Sequence, residues 1–187
     1  MRILRSTDYR RMPWKNGGGE TREIAVSPVG ATLDTLEWRI SLATVASGGP
    51  FSTFSGVTRT LSVIQGAGIE LKVGDEPART LLTTSEPCAF DGETPTHASL
   101  IDGPIEDLNV MSQRGRFRHE VTRRTLSGTF EMITDAESTI VFCRTGSLVC
   151  GGHELNAEDC AMIDGVAQPV QLSAAQSADL YVIELYR

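Results

Sequence analysis

LSVIQGAGIELKVG, residues 61–74, reads as two short strands joined by glycine turns, and it leads on to CAFDG at 88–92. The same order recurs downstream, where IVFCRTGSLVCG at 140–151 leads to CAMIDG at 160–165. Each copy runs strand, glycine turn, strand, glycine turn, strand, then Asp-Gly. Two copies of one β-unit point to a pseudo-symmetric pair of barrels or to two sheets in one sandwich. Outside the repeat, apolar residues again alternate. In WRISLATV at 38–45, Trp38, Ile40 and Leu42 share one face and Arg39, Ser41 and Ala43 the other. Further strands are expected at 21–26, 59–64, 69–73, 88–90, 105–111, 139–144, 147–150, 160–163 and 180–185, with Gly, Pro, Asp and Asn in the gaps. Helical turns are expected only at 6–12 or 174–178. The fold class is therefore all-β.

Composition narrows the function. The 187 residues carry 17 basic and 24 acidic side chains, a net charge of −7, which argues against a general binder of nucleic acid or anionic membrane. No apolar run approaches the ~18 residues of a membrane helix, and the basic start lacks the apolar stretch of a secretory signal. A cytoplasmic protein is expected, with Cys88, Cys143, Cys150 and Cys160 as reduced thiols. All the basic residues but Lys15 and Lys72 are arginine, the side chain suited to planar, bidentate contact with carboxylates.

Several segments stand out chemically. PWKNGGGETREI at 13–24 holds three consecutive glycines. They form either a hairpin tip or a close backbone approach, with Trp14, Lys15 and Asn16 at the edge of a ligand site. The segment is not a phosphate loop, because Lys15 precedes the glycines and a strand follows. In DGPIEDLNVM at 102–111, Asp107, Asn109 and Met111 share one strand face and Leu108 and Val110 the other. Asp107 and Asn109 either line a barrel interior or face solvent. Arg39 and Arg59 carry the same ambiguity; inside a pocket they would need Glu23, Asp107 or a ligand as counter-charge. The three histidines, His97, His119 and His153, form no HxH pair and are expected to be solvent-facing or locally bonded, so no metal site and no cofactor are expected. The basic run 114–124 is expected to be a strap between the two barrels, its cations facing carboxylates.

The doubled unit resembles the cupin superfamily, and two such units resemble a bicupin. PWKNGGGETREI, WRIS at 38–41, GPFSTFSG at 49–56 with Arg59, and DGPIEDLNVM with Arg114 together resemble the HutD/Ves family in order and spacing, up to about residue 124. The family pattern has Phe-Pro-Gly where this chain has Phe54, Ser55 and Gly56. The resemblance implies cupin-like double-stranded β-helix barrels, an N-terminal one over 1–124 and a C-terminal one over 125–187. It also implies a small cytosolic protein that, in some members, is proposed to bind a histidine-pathway intermediate and restrain that pathway. The family's recurring polar positions correspond to Lys15, Asn16, Glu23, Arg39, Arg59, Asp107 and Asn109, and Trp14 joins them as a ligand-binding residue.

Three functions follow as expectations. The first is metal-independent binding of a small carboxylate metabolite, such as urocanate or formylglutamate, with Arg39 or Arg59 as anchor and a regulatory role in histidine utilisation or a related stress response. The second is a metal-independent isomerase or hydrolase acting on a small organic acid, with Glu23 or Asp107 as base and Lys15 as acid. The third is a partner-binding module. A homodimer is expected under all three.

Overall fold

The computed structural model describes residues 1–14, 17–165 and 169–187. Lys15 and Asn16 of the expected site lie outside the described residues. The strands are, in order, β1 (Arg2–Leu4), β2 (Arg10–Pro13), β3 (Gly19–Ser27), β4 (Trp38–Val45), β5 (Gly49–Pro50), β6 (Val57–Gln65), β7 (Ile69–Val73), β8 (Arg79–Leu81) and β9 (Cys88–Asp91). They continue with β10 (Thr96–Leu100), β11 (Ile105–Gln113), β12 (Arg118–Met132), β13 (Ser138–Thr145), β14 (Ser147–Cys150), β15 (His153–Asn156), β16 (Cys160–Asp164) and β17 (Val170–Tyr186). Among the described residues the helical content is one 3-10 turn, Ser6–Asp8, and no helix is long and apolar enough to cross a membrane. The four cysteines are buried free thiols.

The chain divides into two compact units, Arg10–Phe117 and Met1–Tyr9 with Arg118–Arg187. In the first, a six-stranded sheet in the order β2-β3-β4-β11-β6-β9 accompanies a four-stranded one, β5-β10-β7-β8. Their facing residues form one core of Ala43, Val45, Leu61, Val63, Ile69, Leu71 and Leu81, with Ala98 and Ile105. In the second unit a seven-stranded sheet runs β1-β16-β13-β17-β14-β15, with β12 also on β17. Its core is aliphatic: Leu126, Val141, Leu148, Leu155, Leu172, Leu180 and Val182 are all buried together.

The internal repeat is a repeat of pairing. In the first unit β6 pairs with β9 and β7 with β8; in the second β13 pairs with β16 and β14 with β15. The work done separately by β10 and β11, which pair with β7 and β6, is done in the second unit by the single strand β17, which pairs with both β14 and β13. A bulge at Leu126/Gly128, where Gly128 has φ of +84°, bends its partner β12.

Several expectations change. Residues 174–178 are not a helical turn but part of β17. The expected 6–12 turn shortens to Ser6–Asp8, and β2 follows it. The strap at 114–124 becomes, from residue 118, the start of β12. Its cations do face carboxylates: Arg114 meets Asp91 at 2.9 Å and also Glu93, and Arg123 meets Asp179 at 3.1 Å. His97 is exposed but sits in β10 rather than in a turn. His119 is half-buried in β12, and burial pushes its imidazole down to about 4.

Candidate functional site

Strand register builds the site. Asp107 lies opposite Ala43 of β4 and Val63 of β6, Asn109 opposite Ser41 and Leu61, and Met111 opposite Arg39 and Arg59. Glu23 of β3 lies opposite Ser41. Directly opposed residues share a face, and Ala43, Leu61 and Val63 belong to the core between the sheets. Arg39, Arg59, Asp107, Asn109 and Glu23 therefore point to the inside. The interior is graded: aliphatic at the Val45, Val63 and Ile105 end, polar toward Arg39 and Arg59.

The two arginines differ. Arg39 donates from Nε to Glu23 Oε2 at 2.7 Å, and both side chains are mostly buried. Arg59 is 5% exposed. Its guanidinium carbon lies 5.0, 5.4 and 5.3 Å from the ring centroids of Phe51, Phe54 and Phe90, an aromatic cage that stabilises a cation by the ring quadrupoles. One terminal N–H donates to the Ser52 carbonyl at 3.3 Å. Its buried Nε has no hydrogen-bond partner among the described residues. Burial pulls the Arg59 guanidinium down to about 10, with Asp107 opposing.

Asp107 is 2% exposed. Its Oδ1 and the Oδ1 of Asn109 are buried without hydrogen-bond partners among the described residues. Burial pushes the Asp107 carboxyl up to about 7; Arg59 pulls it back and Glu106 pushes it further. Buried polar atoms are ordinarily paired. One unused donor, on Arg59, and two unused acceptors, on Asp107 and Asn109, therefore lie on one inner face.

Of the other expected residues Trp14 is described, and it packs against the same core. The Trp14 indole donates to Thr21 Oγ1 at 2.8 Å, and Trp14 N–H donates to the Gly19 carbonyl at 2.9 Å, closing the glycine hairpin. A Cβ on Gly19 would stand 2.1 Å from the Thr44 carbonyl oxygen and 3.1 Å from the Trp14 ring, so that glycine is there for close approach. The structure thus brings together Glu23, Arg39, Arg59, Asp107 and Asn109. The Phe51, Phe54 and Phe90 cage and the Ser52 carbonyl are additional members. The signal for the first two rings was the pair of phenylalanines in GPFSTFSG, just before Arg59.

Two surface grooves lie elsewhere. One, of about 480 Å³, opens beside Phe90 and is bounded by Gly74, Glu76 and Arg79. The other, of about 340 Å³, is formed by Arg5, Ser6, Thr7, Glu154, Asn156 and Asp159. Neither is lined by Arg59, Asp107 or Asn109. Among the described residues no group of three or more His, Cys, Asp or Glu side chains is placed to hold a metal ion.

A family model described as HutD matches residues 6–182. The chain is 36% identical over 170 residues, 88% of its length and 87% of the relative's, to an uncharacterized 21.2 kDa protein in the hutC 3' region of Pseudomonas putida. It is 35% identical over 158 residues to Protein Ves of Citrobacter koseri, covering 82% of this chain and 80% of that one. The structure of HutD from Pseudomonas fluorescens SBW25 superimposes with a TM-score of 0.88 at 34% identity, covering 99% and 97% of the two chains. An oxalate decarboxylase of Lactobacillus farciminis, at 8% identity and a TM-score of 0.71 over 97% and 85% of the chains, shares the fold alone. With an all-β fold of cupin-like barrels and a match that spans nearly its whole length, the chain belongs to the HutD/Ves family.

Proposed function

We propose that the unit formed by Arg10–Phe117 binds a small carboxylate metabolite without a metal and that this binding regulates histidine utilisation or a related catabolic response. Arg59 carries the reading. It is a buried cation held by three rings and a single carbonyl, with Nε free, and no ion pair supplies it with a carboxylate among the described residues. A ligand carboxylate completes that side chain with a charge-assisted pair. Asn109 and Asp107 supply the contacts that read the rest of the molecule. Arg39, already neutralised by Glu23, shapes the site rather than anchoring the anion. The gene neighbourhood in the name of the Pseudomonas putida relative supports a ligand from histidine breakdown, such as urocanate or formylglutamate.

The test is thermal unfolding with urocanate, formylglutamate, histidine and glutamate. A true ligand at a hundredfold excess over its Kd stabilises the fold by ~2.7 kcal/mol, a rise in Tm of about 5–10 °C for a chain of this size. Arg59→Met, which keeps volume but removes the charge, abolishes the rise, and Asn109→Leu reduces it. An unshifted wild type throughout the panel refutes the reading.

A further inference from the structure

Asp107 has no evident task in a site built to hold an anion. A fixed negative charge there opposes the ligand. Its charge is met only in part: Arg59 pulls the carboxyl back, burial and Glu106 push it up, and no ion pair or hydrogen bond holds it among the described residues. From β4 it meets Ala43 and Ser41, with Arg39 further along and bound to Glu23 of β3. From β6 it meets Val63, with Leu61 and then Arg59 beyond. On its own strand Asn109 shares its face, while Glu106 points the other way and is paired with Arg22. The opposing sheet contributes Ile69, Leu71 and Ala98 to the same core, none of them titratable, and His97 of that sheet is exposed. Asp107 Oδ1 is left buried and unpartnered.

An ionised Asp107 would repel a carboxylate drawn in by Arg59, at a depth where screening by water is weak. A protonated Asp107 would instead donate its O–H to that carboxylate. We propose that Asp107 is a hydrogen-bond donor of the anion site, so that a carboxylate enters together with one proton taken from solvent. The inference rests on the carboxylate-binding reading above and adds its regulation: occupancy follows pH as well as metabolite concentration. Burial holds the Asp107 carboxyl up at about 7, so the proton is exchanged near neutrality. Binding and protonation are reciprocal, each favouring the other by the same factor.

The experiment uses formate and glycolate as probes, both fully ionised above pH 6, in NMR titrations of the full chain from pH 6 to pH 9. The wild type is expected to lose affinity above pH 7, approaching tenfold per pH unit. Asp107→Asn, which keeps a donor but cannot ionise, is expected to bind with nearly constant affinity across that range. Saturating probe is expected to raise the pH at which the Asp107 carboxyl carbon titrates in the wild type. That measurement decides the matter if the variant does not fold. Equal affinity at pH 6 and pH 9, or the same pH dependence in Asp107→Asn as in the wild type, overturns the inference while leaving carboxylate binding intact. Failure of both probes to bind at every pH also overturns it, and the metabolite panel then judges the carboxylate reading separately.

Discussion

Arg39 and Arg59 flank Met111 at the same level of one sheet, yet one has a carboxylate and the other has rings. Period-2 alternation put Asp107 and Asn109 on one strand face, and Arg39 on one face with Ser41 and Ala43, but left inner or outer open until the register with the core residues decided it. What alternation could not resolve was which arginine is satisfied internally, because that depends on Glu23 arriving from β3 and on the Phe51–Phe54 segment folding over β6. Asp107 also has a consequence for ligand-free stability. Its carboxyl titrates near 7 in the folded chain and near ~3.9 when unfolded, so the folded state binds the extra proton between these values. Stability therefore falls as pH rises through that window and levels off above it. Thermal melts of the ligand-free wild type are expected to drop by several degrees more between pH 5 and pH 8 than those of Asp107→Asn. The variant is expected to be the more stable of the two at pH 8.

At the scale of elements, the glycine turns and the doubled strand unit were legible because backbone geometry demands specific residues there. The turn from Phe54 to Val57 is an example. Val57 N–H faces the Phe54 carbonyl at 3.4 Å, and Gly56 takes φ of +71°, the requirement of the third position of a type II turn. Proline is favoured just before it, so Ser55→Pro is expected to raise stability by about 0.4–1 kcal/mol in denaturant unfolding. Gly19→Ala is expected to cost about 1–3 kcal/mol in the same assay, since its methyl would overlap the Thr44 carbonyl. Strands β12 and β17 were the hardest to read in the sequence. Residues 174–178 are Ala, Ala, Gln, Ser and Ala, with little intrinsic strand preference. Their extended form comes from pairing with β12 around the Gly128 bulge, a long-range contact that no local window contains.

Across the whole molecule, one fold pattern is filled in two ways. Gly66 and Gly146 align the repeats, which sets Thr139 at the position of Arg59. Opposite Thr139 stands Glu184, while Leu180 and Val182 pair with Cys143 and Val141, where Asp107 and Asn109 pair with Val63 and Leu61. The C-terminal interior is thus aliphatic at the places of Asp107 and Asn109 and carries a buried threonine at the place of Arg59. Hydrogen–deuterium exchange with a bound carboxylate is expected to slow amides of β4, β6, β11 and residues 51–56 and to leave β13–β17 unchanged. Protection centred on β13–β17 instead would move the site to the other unit. The sequence made the doubling visible through its glycines. The difference in lining was legible only at Asp107 and Asn109, because apolar residues in a β-repeat look alike whichever face they occupy.

The pairing of β1 with β16, Arg2 against Met162 and Leu4 against Cys160, sets an order of events during synthesis. A segment made before Arg10–Phe117 joins a strand that is made after it. The stretch from Arg10 to Phe117 emerges whole in between and is free to settle first, so the half that carries the buried arginines is in place while its counterpart is still being translated.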